Sequence, residues 1–154
     1  MAGAIDLDRM TVSEQDEIGE IGDVVGFHLR LAQAAVYRNF SDTFAHLDMT
    51  QKQVSVLWLV NDHPGIAQAG VAREMQMDRA TTMAIVNRLE ARGLLERGKS
   101  TTDGRKQTLN LTDAGQVMLS NAKQAIRAHE DWLKARYTEQ EVGALIELLT
   151  RLHS

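Results

Sequence analysis

The sequence predicts a mainly α fold with a small β-wing: a winged helix-turn-helix framed by long helices at its N- and C-terminal ends. Three observations predict it. One proline occurs in 154 residues, so long helices can run uninterrupted. Apolar residues recur at helical spacing through most of the chain. Two short alternating segments, 94–97 and 107–111, bracket a polar turn, as the strands of a hairpin do. Apolar residues make up 44% and charged residues 25%, so one domain of this length can bury a real core.

The elements follow in order. Residues 1–13 read as a loose arm. From about Ile18 to Ala45, Ile21, Val24, Val25, Leu31, Ala32, Ala35, Val36, Phe40 and Phe44 recur as on one long helix with a broad apolar stripe. Thr50 and Gln53 have the spacing of a capping box and start a helix to about Asn61. His63-Pro64-Gly65 stops it. A short helix over about Gln68–Met75 precedes one that Asp78 caps and that carries Met83, Val86 and Leu89 on its inner side. Gly93 ends the latter by taking the left-handed conformation. The hairpin follows, with Gly98 to Arg105 as a polar, basic tip. Thr112 caps a helix to about Tyr137. Thr138 and Glu141 form a second capping box, starting a last helix that ends near His153.

Composition excludes several function classes. The chain has no cysteine, which removes disulfides, thiolate zinc sites and cysteine nucleophiles. Aromatic residues at 5% argue against extended base-stacking platforms. No apolar run reaches the length of a membrane span, and the acidic N-terminus lacks a signal pattern. The expectation is a soluble, cytoplasmic protein. The net charge of −4 argues against nucleic acid until its distribution is read. Residues 1–23 carry seven acids and one base, whereas residues 73–106 carry eight bases and five acids. A local field of this kind leaves DNA binding open; ordinary solvated surface is the plainer reading of the same bases.

The order helix, helix, turn, helix, hairpin over residues 50–111 adds the missing constraint. A DNA major groove accepts one helix, presented by its N-terminal half. Here that helix starts at Asp78, and its outward residues are expected to be Arg79, Ala80, Thr81, Thr82 and Ala84. Arg pairs with guanine; Thr and Ala meet thymine methyls. Asn87 and Arg88 lie further along, placed to reach phosphate or to hold the wing. Lys99, Ser100, Thr101, Thr102 and Lys106 are wing residues of a type that contacts phosphates. Gln68, at the start of the short helix, is a further phosphate candidate. Taken singly, each of these reads equally well as plain surface.

Leu89-Glu90-Ala91-Arg92-Gly93-Leu94-Leu95-Glu96-Arg97, then Asp103-Gly104-Arg105, then Leu109-Asn110-Leu111-Thr112-Asp113-Ala114-Gly115 together resemble the MarR family of bacterial transcriptional regulators. Pro64-Gly65 and Asp78 to Thr82 also fit, and the resemblance spans roughly residues 20–153. It implies a homodimer in which first and last helices interlock, with Leu145, Ile146, Leu148, Leu149 and Leu152 near the C-terminus. It implies a pseudo-palindromic operator and a repressor rather than an activator. Asp103 and Arg105 match the wing signature: Arg105 enters a minor groove, and Asp103 orients a neighbouring arginine. The organisation that follows is an acidic arm (1–17), an N-terminal helix of the dimerisation and ligand layer (18–48), a DNA-binding lobe (49–111) and C-terminal dimerisation helices (112–154).

Family members bind small anionic or phenolic effectors. His28 falls between Val25 and Ala32 in the apolar stripe and is expected to face inward; Arg30, Tyr37, Arg38 and Trp58 join it as candidate ligands for a carboxylate or an acyl-CoA phosphate. The bland alternative makes His28 and Trp58 core residues. The stretch 26–38 resembles a branch responding to aromatic acids or their CoA thioesters. The absence of cysteine departs from the peroxide-sensing branch. No cofactor and no metal is expected: the histidines 28, 46, 63, 129 and 153 are scattered, and no nucleophile elbow or phosphate loop marks an enzyme. The competing class is a winged helix that binds only protein; a basic, polar wing and an outward Arg-Thr-Thr helix start favour double-stranded DNA.

Overall fold

A computed structural model describes residues 18–102, 104 and 107–154. The chain divides into two compact units, Met1–Arg38 and Asn39–Ser154. In the first, a 3-10 turn (Gly19–Asp23) precedes helix α1 (Val25–Phe44). The expected single helix from Ile18 is broken at Val24, which is extended (φ −89°, ψ 113°). Gly19 sits at φ +70° and Gly22 follows closely; two glycines in four positions weaken a helix.

The second unit holds the rest of α1 and everything after it. α2 (Gln51–Asp62) starts at the expected capping box: Thr50 Oγ1 accepts from the Gln53 amide (3.2 Å) and Gln53 Oε1 from the Thr50 amide (3.0 Å). β1 (Ile66–Ala67) and α3 (Gln68–Glu74) follow. α4 (Arg79–Ala91) has Asp78 as its N-cap. Its end is a Schellman turn: the Gly93 amide donates to Glu90 O (2.8 Å) and the Leu94 amide to Leu89 O (2.9 Å). Gly93 takes φ +72° there, which a side chain would resist.

β2 (Leu95–Lys99) and β3 (Gln107–Leu111) form the hairpin, with Leu95 opposite Leu111 and Lys99 opposite Gln107. β1 adds to the free side of β3, Ile66 opposite Leu109, giving the antiparallel order β1-β3-β2. This third strand was not expected, because two residues carry no alternation to read. α5 (Asp113–Lys134) starts at Thr112, and α6 (Glu139–Thr150) at the Thr138–Glu141 capping box. α5 ends three residues short of the expected Tyr137.

The core gathers Phe44, Leu57, Val86, Leu89, Leu109 and Leu119 from α1, α2, α4, β3 and α5. At its edge, Phe40 stacks on Phe44 and meets the ring of His129 edge-on (5.6 Å, 89°). His129 is buried, and its Nδ1 donates to Asn39 Oδ1 (2.7 Å). α6 buries no residue within the chain, and Leu145, Ile146, Leu148, Leu149 and Leu152 are all exposed.

Two outcomes follow from this packing. A Cβ on Gly115 would lie 2.0 Å from the Leu94 carbonyl oxygen, which is backbone and cannot swing aside. Gly115→Ala is expected to cost about 1–3 kcal/mol, read as a lower denaturant midpoint; an unchanged midpoint would contradict the close approach. Burial holds the His129 ring below its ordinary pKa of 6.5, with Glu130 opposing the shift in part. The unfolded chain therefore binds more protons just below that value, so stability is complete above it and falls as pH drops. Urea midpoints measured from about pH 7.5 to about pH 5 should decline, and His129→Gln should flatten the decline.

Candidate nucleic-acid interface

The helix-turn-helix pair is α3 and α4, joined by a turn in which Gln76 takes φ +50°. Asp78 sets the start of α4. Its Oδ1 accepts from the Thr81 amide (2.7 Å) and its Oδ2 from the Thr81 hydroxyl (2.7 Å). These two bonds hold the Asp78 carboxyl below the usual carboxylate range. The Thr81 hydroxyl is thus committed to the cap, and Thr81 is half-buried.

The face that α4 presents differs from the sequence expectation by one position. Thr82, expected outside, is fully buried, and its hydroxyl donates to the Asp78 carbonyl (2.9 Å). Met83, expected inside, is exposed. The buried set is Thr82, Val86 and Leu89, spaced four and three apart. A threonine fits there because the preceding turn satisfies its hydroxyl. The exposed stripe is Ala80, Met83, Ala84 and Asn87, with Arg79 and Arg88 beside it. Met83 was missed as a contact candidate, which a strict i, i+4, i+7 count from Thr82 would have found; Asn87, read as reaching phosphate or holding the wing, lies on this stripe.

The wing is tied to this helix by Arg97 on β2. Its guanidinium forms an ion pair with Glu90, donates to Asn87 Oδ1 and faces Gln68 Oε1 at 3.5 Å. Gln68, expected as a phosphate contact, is half-buried with its oxygen turned to Arg97. Arg92 anchors the other end of the helix. Its guanidinium donates to Asp48 O (2.6 Å) and Leu47 O (3.2 Å). Lys99 and Thr101 are exposed on the wing; Ser100 is half-buried with its Oγ 3.0 Å from Thr102 Oγ1. Asp103, Arg105 and Lys106 lie outside the described residues.

The candidate effector residues lie on α1 and α2. His28 is exposed rather than inward, and its Nε2 donates to the Gly22 carbonyl (2.6 Å). The break at Val24 brings that carbonyl within reach. Arg30 lies over the Phe27 ring at 5.6 Å, and Tyr37 and Arg38 are exposed. Trp58 is half-buried with Lys123 Nζ 4.7 Å from its ring centre. The buried histidine is His129, which sequence reasoning left among the scattered ones; its place two turns behind Ala122 on the inner face of α5 was the available signal. Among the described residues no three His, Asp or Glu side chains converge as metal ligands would, and no helix is long and apolar enough to cross a membrane.

The Thr82–Met83 exchange has a direct test. Thr82→Val keeps shape and loses one hydrogen bond, so stability should fall by about 1 kcal/mol with DNA affinity unchanged. Met83→Glu should leave stability within about 0.5 kcal/mol and weaken DNA binding by facing phosphates with a carboxylate. Parallel denaturation and anisotropy titrations would read both; the reverse pattern would restore the original assignment.

The stretch that holds this geometry is also the stretch that matches known proteins. A profile of the MarR family matches residues 47–106. A relative from Thauera aromatica, a protein proposed to regulate transcription of the hcr operon, is 35% identical over 136 residues, 88% of this chain and 82% of the relative. The transcriptional repressor CouR bound to a 23-mer DNA duplex aligns with TM-score 0.85 at 33% identity, covering 89% of this chain and 97% of CouR. CouR bound to p-coumaroyl-CoA aligns with TM-score 0.80 at 32% identity, covering 88% of this chain and 95% of CouR. The fold is therefore a winged helix of the regulator type, and the chain belongs to the MarR family of transcriptional regulators.

Proposed function

We propose that this protein is a homodimeric transcriptional repressor that binds a pseudo-palindromic operator and is released by a small aromatic acid or its CoA thioester. The observation that carries this reading is the exposed N-terminal half of α4, held beside a basic wing by the Arg97 clamp. That is one helix for the major groove and one hairpin for the flanking backbone. The likeness to CouR in complexes with DNA and with p-coumaroyl-CoA supports the two ligand classes. The apolar face of α6 supports pairing of two copies: four large aliphatic side chains stand exposed there, with Leu152 just beyond its end, and water-facing patches of this kind mark interfaces.

In this reading Arg79 and Arg88 flank the stripe that faces the groove, while Lys99, Ser100, Thr101, Asp103, Arg105 and Lys106 serve the wing contact. His28, Arg30, Tyr37 and Arg38 on α1 and Trp58 on α2 remain effector candidates, each argued from its own element. An effector acts only through different affinities for the DNA-binding and released arrangements.

Fluorescence anisotropy on duplexes flanking the gene tests this. Affinity should fall steeply with salt, and one aromatic acid or CoA thioester should reverse binding at fixed salt. Arg105→Ala should weaken binding and lower the salt slope by about 1. Binding unaffected by every effector would remove the effector class. No salt-dependent binding to any duplex, including a random-sequence pool, would leave a wing that serves a protein partner.

A further inference from the structure

We propose that Arg97 is a positioning residue for DNA recognition, and that it turns the side-chain amide of Asn87 so that its NH2 donates to a backbone phosphate. This rests on the DNA-binding reading above and adds to it the residue that sets the direction of the Asn87 donor. A guanidinium carries only N–H donors. Whatever atom of an amide faces it must therefore be the carbonyl oxygen. Asn87 Oδ1 accepts from Arg97 Nη2, which fixes the amide orientation by chemistry. The NH2 then points away from Arg97. Asn87 is exposed, and it follows Ala80 and Met83–Ala84 along the same stripe, at spacings of three to four residues. The free donor thus stands on the face α4 presents, beyond the N-terminal half that meets base edges. The N-terminal residues of such a helix contact base edges, so the acceptor assigned to this donor is a phosphate oxygen, the commonest partner of protein donors on a duplex.

The clamp has the stiffness this role requires. Four-fifths of the Arg97 side chain is out of solvent, and the ion pair to Glu90 on the same helix holds its other nitrogen. Gln68 Oε1, at 3.5 Å from Nη2, faces the same guanidinium, so a second amide is biased to present its NH2 outward from α3. One cation on the wing therefore orders polar groups on both helices of the pair before DNA arrives, and the entropy of orienting them is not lost on binding.

The test uses the full-length protein, a duplex selected by it from random sequence, and a second, unselected duplex. Asn87→Ala is expected to weaken binding about tenfold, to the same extent on both duplexes. Asn87→Asp keeps the acceptor for Arg97 and removes the donor; it should retain the parent melting temperature and bind more weakly still. Arg97→Lys keeps the charge but not the fork, so it should weaken binding, and Asn87→Ala should add little in that background. Independent, multiplying losses would overturn the positioning role of Arg97. Loss confined to the selected duplex would place the donor on a base edge and overturn the phosphate contact. Asn87→Ala binding as tightly as the parent would overturn the inference while leaving the DNA-binding reading intact. Failure of the parent to bind any duplex would overturn both.

Discussion

The peptide at Gly93–Leu94 is the joint on which the DNA-binding lobe depends. Three elements meet there. The left-handed Gly93 ends α4, the Thr112 hydroxyl at the start of α5 donates to Gly93 O (2.5 Å), and the Thr112 amide donates to Leu94 O (3.2 Å). Gly115, one turn into α5, has no Cβ where the Leu94 oxygen lies. Two helix ends and the first strand of the wing are thereby fixed to one backbone segment. This gives a physical reason for the glycine-leucine entry and the threonine-any-any-glycine pattern that first pointed to the family. Each residue type meets a steric or hydrogen-bonding demand of the same joint.

From that joint the wing projects as a lever, and Arg97 sets its angle against α4. The charges fit this division of labour. Glu90 is consumed within the clamp, and Asp78 within the helix cap. Glu90 and Arg97 cancel within one ion pair, whereas Asp78 keeps its negative charge at the start of α4. The field that DNA would meet is more positive than the net charge of this chain suggests. Arg79, Arg88 and Lys99 remain exposed around the stripe.

Much of the fold was legible in the sequence because local rules act alone at helix ends. Both capping boxes, the Asp78 cap and the Gly93 stop fall where side-chain type and spacing demand. The hairpin strands were legible from alternation. What was not legible needed tertiary information. β1 is two residues long and exists only because β3 offers a free edge. Thr82 and Met83 exchange faces because a buried hydroxyl can be satisfied by the turn before it, which hydrophobicity alone misranks. His28 and His129 exchange roles for a related reason. The glycine-rich turn before α1 captures His28 locally, whereas His129 finds Asn39 ninety residues away. Of the candidate interface, the recognition helix, the wing and a wing-holding role for Asn87 were legible; Arg97 as its partner, and the Glu90 and Gln68 contacts, were not, since no local spacing rule pairs side chains on separate elements.

In the proposed complex, two copies of this lobe, related by a two-fold axis, present α4 and the wing to one duplex. Hydroxyl-radical footprinting of the purified protein on a duplex it selects would test it most directly. The expected pattern is two symmetric protected patches about one helical turn apart, roughly 10–10.5 base pairs or a multiple of that, with flanking minor-groove protection from the wings. A single, asymmetric patch that persists at saturating protein would rule out this two-fold arrangement.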